Sequence, residues 1–426
     1  MTKSLKVQLV VFAWMVWVVV CLFSVISGFF IITNWLKLPL NSDSRVLLGL
    51  ILVISGTLVG YYGTLRFFWY IIHWWSKSRQ KNGKQNRGPK VVVVGGGTGL
   101  GTILRGLKEI TSNLTAIVTV ADDGGSSGRL RREFGILPPG DIRNCLVAMA
   151  DIEPLMEKLM QYRFQGDSEL AGHNFGNLLL AALVGITGDF EEAIKESSKV
   201  LAVRGQVLPA TLAHINLKAR LKDGQIVSGE SKIGKVKSSP IEEVYLEPAD
   251  SKPVPEALEA IEEADVIVLG PGSLYTSVIP NLLVKGITTA IQNSNAVKLY
   301  ICNAMTQQGE TDNYTASDHV KAILKHTNDK FIDIAVINVE PIPEHILERY
   351  AEEGAKPVIA DLEKIRELGV TPLGIKVIVK SNVIRHDAAK LAALIENITK
   401  TKKLEKAFGR YIVRQIYKFF KGVSRI

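Results

Sequence analysis

The stretch KVVVVGGGTGLGTILRGLKEI, residues 90–110, decides the fold. Four valines in a row suit a strand buried on both faces, as in a parallel sheet. A glycine turn follows, and Leu104, Leu107 and Ile110 then recur at helical spacing. A strand passing through glycines into a helix is the opening unit of a doubly wound α/β layer. The theme repeats with LTAIVTV (114–120), a polar loop and a helix after Pro139. Further strands are expected at ADVIVLG (264–270), KLYICNAM (298–305), FIDIAVINV (331–339) and LGIKVIVK (373–380), with helical patterns between most of them. Between the two halves, HINLKARLKDGQIVSGES (214–231) places Asp223-Gly224 between alternating residues. That signals a β-hairpin excursion from the main sheet.

The loops at the strand ends carry the chemistry. Gly96, Gly97, Thr98 and Gly99 sit where backbone N–H groups open a helix and favour an anion. The spacing fits neither the dinucleotide fingerprint nor the P-loop, since Thr102 stands where the latter needs lysine. The second strand ends in ADDGGSSGRLRREF. Asp122 and Asp123 are placed to accept from ribose hydroxyls, but neighbours on an extended strand face opposite ways, so one of them reaches a ligand unless the loop turns. Ser126 and Ser127 could donate to phosphate or hydroxyl oxygens, and Arg129 could pair with a phosphate. Asp141 reads as an N-cap or a site residue, with Arg143 and Asn144 in the same first turn. In GHNFGNLLLAAL, His173 reads as structural, and Asn174 and Asn177 are the better ligand candidates. A second glycine loop, VIVLGPGSLYTSVIPN, offers Gly270, Gly272, Ser273 and Thr276. Asn303, Thr306 and Gln307 follow the next strand, and Asp387 reads as an N-cap after the last one. Each loop alone is weak; together they follow several strands, and ligands bind beyond the carboxyl ends of such a sheet.

Outside this body the chain changes character. Val7–Leu36 and Val46–Leu65 contain no charged residue, and a bilayer core needs about 20 apolar residues per helix. They are expected to form a membrane hairpin over residues 1–76, with spans near 10–33 and 46–66 and an aromatic belt over 67–75. Lys and Arg before the first span and after the second place both ends in the cytoplasm. Residues 77–90 read as a basic linker, 91–397 as the α/β domain. In the tail, 398–426, Phe408, Ile412, Ile416, Phe419 and Val423 share one face opposite Lys406, Arg410, Arg414 and Lys418, which suits an anionic membrane surface. The net charge of +9 belongs to these ends: residues 91–397 hold 31 basic and 40 acidic residues, which argues against nucleic acid as a partner. Three cysteines without a CxxC pair argue against a disulfide frame or a zinc site.

The segments GGGTGL, VTVADDGGSSGRLR, PPGDIRNCL, HNFGNL, GPGSLYTSVIPNLLV and MTQQGETDNYTASDH resemble, in order, the gluconeogenesis-factor (YvcK-like) family, related to 2-phospho-L-lactate transferase (CofD-like). The resemblance spans about residues 90–395. It implies a three-layer Rossmann-like fold and a cytoplasmic protein needed for cell shape and for growth on gluconeogenic carbon sources. It implies a UDP-sugar ligand such as UDP-N-acetylglucosamine, with Tyr350 and Arg385 at matching site positions. The transferase relatives imply an alternative, a Mg2+-dependent transfer of a phospholactate-type group from a nucleotide donor, with Asp122 and Asp123 as its catalytic candidates. No Ser–His–Asp or Cys–His set is evident, so a non-catalytic regulator is the expectation, a homo-oligomer with partners in wall synthesis or carbon metabolism.

Overall fold

The computed structural model describes residues 3–33, 41–44, 46–60, 62–63, 88–152, 154–236, 239–379 and 383–408. The chain forms two compact units, residues 1–85 and 86–426.

The larger unit is built on a seven-stranded sheet in the order β10-β9-β8-β7-β1-β2-β3. Its strands are β1 (Val91–Gly95), β2 (Leu114–Val118), β3 (Gln206–Pro209), β7 (Val266–Leu269), β8 (Val297–Ile301), β9 (Ile334–Asn338) and β10 (Thr371–Ile375). Every pairing in it is parallel. The valine run of β1 and its neighbour β7 are almost wholly buried, as continuous apolar strands in a parallel sheet must be. Flanking helices complete a Rossmann-like α/β fold: Gly97–Ile110 packs against Gly140–Met149 and against Ala388–Phe408. Chain order runs outward from β1 in both directions, so the switch point lies between β1 and β7. With all strands parallel, the loops after β1, β2, β7, β8 and β9 emerge at one edge of the sheet.

The excursion is present and larger than expected. β4 (Asn216–Leu221) and β5 (Ile226–Ser228) pair antiparallel around Asp223-Gly224, and β6 (Ile241–Glu247) adds a third strand on the other side of β4. From Val244 on, β6 alternates buried and more exposed residues, the signature of a sheet with one wet face. The stretch expected as one strand over 373–380 divides: β10 ends at Ile375, and β11 (Ile378–Val379) pairs antiparallel with β12 (Arg385–His386). Val377 and Ile378 are buried. Asp387 caps the helix that follows, accepting from the Lys390 N–H at 3.0 Å.

The smaller unit contains helices Lys3–Ile32 and Ser42–Gly60. Gly28 and Gly49 let them meet backbone to backbone: a Cβ on either would stand 2.6–2.7 Å from the other's carbonyl oxygen. Among the described residues one helix, Ser42–Gly60, is long and apolar enough to cross a membrane; the apolar part Trp17–Ile32 is shorter. The expectation of two spans is therefore not supported among the described residues, where one helix passes on both length and apolarity. The aromatic belt over 67–75, most of the 77–90 linker and the tail beyond Phe408 lie outside the described residues.

Candidate functional site

The two glycine loops meet at the switch point. A Cβ on Gly99 would stand 2.6 Å from the Pro271 carbonyl oxygen and 3.0 Å from Gly272 Cα, so only glycine allows this contact. Asn281 ties the loops from below: its side-chain amide donates to the Gly95 carbonyl at 3.0 Å and to the Ser277 carbonyl at 2.7 Å. The helix starting at Gly97 has no side-chain cap from Gly96. Its Gly97 N–H, on a backbone with φ of 68°, is taken instead by the Asp141 carboxyl. Of the two roles expected for Asp141, N-cap or site residue, the first does not hold: the cap position is Pro139, and Asp141 lies in the first turn. The Gly140 N–H is held by Ser127 Oγ at 3.1 Å, which leaves Asp141 free to turn across to the glycine loop.

β2 ends at Val118, and in the loop beyond it the adjacent aspartates point to different partners. Asp122 faces the site, bonded to the Gly124 N–H at 2.9 Å and to Ser127. Asp123 faces the excursion and accepts from the Ser231 N–H at 2.8 Å, anchoring that hairpin to the sheet edge. Ser126 is the hub of the next helix start: its hydroxyl lies 3.2 Å from His173 Nδ1 and accepts from the Asn174 N–H and from Asn177 Nδ2, each at 3.2 Å. Asn174 caps that helix through the Asn177 N–H, and Asn177 Oδ1 is buried without a partner. Arg143 donates to Asn144 Oδ1 at 2.7 Å while its Nε is buried and unpartnered. Arg129 reaches away to the Ala171 carbonyl at 2.7 Å.

The second glycine loop is braced from β8. Asn303 clamps Gly272 through both its N–H and its carbonyl, at 3.2 and 2.8 Å. Ser273 donates to Gln307 Oε1 at 2.7 Å, Gln307 donates to Glu310 at 2.9 Å, and Glu310 accepts from Thr276 Oγ1 at 3.0 Å and from the Tyr275 N–H at 3.3 Å. Thr306 is engaged elsewhere, paired with Lys356 through backbone and hydroxyl. The Tyr350 hydroxyl accepts from the Ile384 N–H at 3.0 Å, so it positions the segment carrying exposed Arg385. The neighbouring His386 Nε2 lies 3.1 Å from the Cys302 carbonyl, which puts that segment at the carboxyl end of β8.

Four carboxyls share the site, and two of them, Glu230 and Glu310, escaped the sequence reading. Burial, then the nearby Asp122, pushes Asp141 up to about 7, against the Gly97 N–H and Arg143. Burial, then Asp122 and Asp141, pushes Glu230 up to about 8. Burial raises Glu310 to about 7 against the Thr276 and Tyr275 donors, and burial raises Asp122. Arg143 is drawn down to about 10, by burial first and by Arg163 second. Carboxyls that repel one another are held beside helix N-termini that attract anions. Asp141 occupies the anion position of the glycine-loop helix itself.

Comparison with known proteins decides the family. Residues 91–378 match the family described as 2-phospho-L-lactate transferase CofD. The gluconeogenesis factor of Halalkalibacterium halodurans is 55% identical over 313 residues, covering 73% of this chain and 97% of the relative. That of Bacillus subtilis is 51% identical over 313 residues, covering 73% and 98%. A crystal structure of a UPF0052-family protein from Bacillus halodurans is 54% identical and superposes with a TM-score of 0.70, covering 72% of this chain and 99% of that one. The chain belongs to the gluconeogenesis-factor (YvcK-like) group of the CofD family. In this CofD-family domain the glycine contact, the Asp122–Asp141 pair and the Asn281 tie all fall within the matched residues. These relatives consist almost entirely of the matching region.

Proposed function

We propose that this protein binds a nucleotide-linked sugar of the UDP-N-acetylglucosamine kind across its two glycine loops and acts as a regulator of carbon metabolism and cell shape. One observation carries the reading: the Gly99–Gly272 contact brings two glycine loops, from β1 and β7, together at the switch point, where ligands bind in such sheets. Two phosphates bridging a nucleoside and a sugar would suit two such glycine turns side by side. The name gluconeogenesis factor, carried by relatives at 51–55% identity, supports the metabolic role. Arg385, exposed and positioned through Tyr350, is suited to contact the sugar end. Titration calorimetry of residues 86–426 is expected to show binding of UDP-N-acetylglucosamine without turnover, weakened by Arg385→Ala. Absence of binding at millimolar ligand overturns the reading.

The Asp122–Asp141 pair favours a second reading, transfer of a phospholactate-type group from a nucleotide donor with Mg2+. Among the described residues no cluster of three or more His, Cys, Asp or Glu is arranged to hold a metal. Mg2+ is commonly held by one or two carboxylates together with substrate phosphates. Asp122 and Asp141 would supply the former, and the ion would neutralise phosphate charge there. Turnover of a nucleotide-linked phospholactate that requires Mg2+ and is lost in Asp122→Asn would favour this reading over the regulator.

We infer a tether to the cytoplasmic membrane by residues 1–76, with the α/β body on the cytoplasmic side. The support is the spanning length of Ser42–Gly60, the glycine contacts pairing it with the first helix, and the outward apolar residues Phe23, Phe29, Ile51 and Leu58. Deleting 1–76 is expected to release the protein from membranes only in part, because the basic tail also binds. Retention of the full chain in the soluble fraction overturns the tether.

A further inference from the structure

Three arginines on the connection from β2 to β3 donate to uncharged oxygens only. Arg129 lies in the helix Gly125–Phe134 and Arg143 in the helix Gly140–Met149. Arg163 precedes Asn174, the N-cap of the helix Phe175–Thr187. Arg129 reaches the Ala171 carbonyl at 2.7 Å and Arg163 the Gly172 carbonyl at 2.5 Å. Arg143 reaches Asn144 Oδ1 at 2.7 Å and the Met160 carbonyl at 3.4 Å. Among the described residues, the arginines that pair with Asp or Glu are Arg105, Arg204, Arg220 and Arg366. An exposed arginine needs no such partner, but Arg143 is only 9% exposed, and its Nε is buried with no acceptor. A buried cation without a counter-charge is costly. Its place is nonetheless built in: a Cβ on Gly176 would stand 2.7 Å from Arg143 Cδ, so glycine there makes room for the side chain.

The three cations are gathered despite their repulsion. Arg129 and Arg163 sit on consecutive carbonyls, and Arg163 is close enough to weigh on both Arg143 and His173. The acids facing the group are Asp141, which attracts Arg143 less than Arg163 repels it, and Glu133 beside His173. Two helices begin in the same corner, joined where Ser126 Oγ accepts from the Asn174 N–H at 3.2 Å, and helix N-termini favour anions. We propose that Arg129, Arg143 and Arg163 bind a second ligand, a phosphate monoester, independently of the nucleotide sugar. Guanidinium groups carried by three separate segments suit a tetrahedral dianion better than a flat carboxylate, which a single bidentate fork can hold. The sheet order separates the two ligands. The second glycine loop follows β7, Tyr350 follows β9 and Arg385 follows β10, all on one side of β1, whereas the arginines follow β2 on the other. A ligand laid across the glycine loops toward Arg385 runs away from them.

Calorimetry on the full chain in detergent, at constant ionic strength, tests the proposal with methyl phosphate, inorganic phosphate and acetate. Methyl phosphate is expected to bind at least as tightly as inorganic phosphate and about tenfold more tightly than acetate. Arg129→Gln and Arg163→Gln, neither of them at a fully buried side chain, should each weaken it about tenfold. Arg143→Gln should abolish it, and the other two variants keep the test open if that one fails to fold. Arg220→Gln makes the same charge change at an exposed position on the excursion and should leave binding unchanged. Saturating UDP-N-acetylglucosamine should also leave it unchanged; if that compound does not bind at all, the nucleotide-sugar reading fails while the methyl phosphate titration still stands. Absence of methyl phosphate binding at tens of millimolar overturns the proposal. So does wild-type affinity in the three arginine variants, because the ligand must then bind elsewhere. Competition by UDP-N-acetylglucosamine would return the arginines to that ligand's own phosphates. Acetate binding equally well, or inorganic phosphate binding more tightly than methyl phosphate, would overturn the ligand class.

Discussion

Replacing Asp141 by asparagine should stabilise the unliganded protein, although it removes a residue from the centre of the site. The reasoning starts from burial. Its carboxyl is turned inward beside Asp122, and its folded pKa is raised from 3.8 to about 7. A raised carboxyl favours folding below its unfolded pKa, and that support is lost as pH rises through the folded value. At pH 8 the group is ionised where it is disfavoured, which sets a ceiling of about 4 kcal/mol on the cost. At pH 5 the ceiling falls to about 2 kcal/mol, because the folded group is already protonated. Asparagine keeps an oxygen for the Gly97 N–H and brings no charge. Neighbouring carboxyls share the repulsion, so the gain expected from Asp141→Asn is about 1–3 kcal/mol at pH 8, shrinking by roughly half at pH 5. Urea unfolding of residues 86–426 at the two pH values measures it. A destabilised variant, or a gain of equal size at both pH values, would refute the account of the acidic cluster.

Asn281→Ala removes both ties beneath the glycine loops and should cost roughly 1–3 kcal/mol in urea unfolding; a cost under half a kcal/mol would mean that the loops hold without it. Gly99→Ala sets a methyl against the Pro271 carbonyl and should lose about 1–3 kcal/mol together with ligand binding, as calorimetry would read. Normal affinity in that variant would show that the loops part freely. Arg385→Ala, at an exposed position, should leave stability within about 0.5 kcal/mol while weakening ligand affinity severalfold. Wild-type Tm should rise as pH falls from 8 to 6, since Asp141, Glu230 and Glu310 all have raised folded values; a Tm that falls over this range contradicts those directions.

The sheet was legible because its signals are local. A valine run, a glycine turn and helical spacing lie within residues 90–110, and a parallel strand buried on both faces has no alternation to confuse it. The Asp-Gly turn announced the excursion, but β6 lies well beyond it, and no short-range signal joins it to β4. The converging loops were readable as a set because parallel strands must end at one edge. What lay hidden depends on contacts between distant segments. Glu310 is an acid in a polar loop until Thr276 and Tyr275, 34 and 35 residues away, bury it. Glu230 reaches the same site from the excursion. Asn281 sits inside an apolar helix pattern, and nothing nearby in sequence marks Gly95 as its partner. Alternation allowed one of Asp122 and Asp123 to reach the site unless the loop turned; which one met it required the excursion that captures Asp123.

Hydrogen–deuterium exchange with and without UDP-N-acetylglucosamine tests the central claim most directly. If one phosphorylated ligand is held by turns from separate strands, residues 95–99, 122–128 and 270–277 gain protection together, at the same ligand concentration. Protection confined to one of these turns, or arising elsewhere on the body, would contradict it.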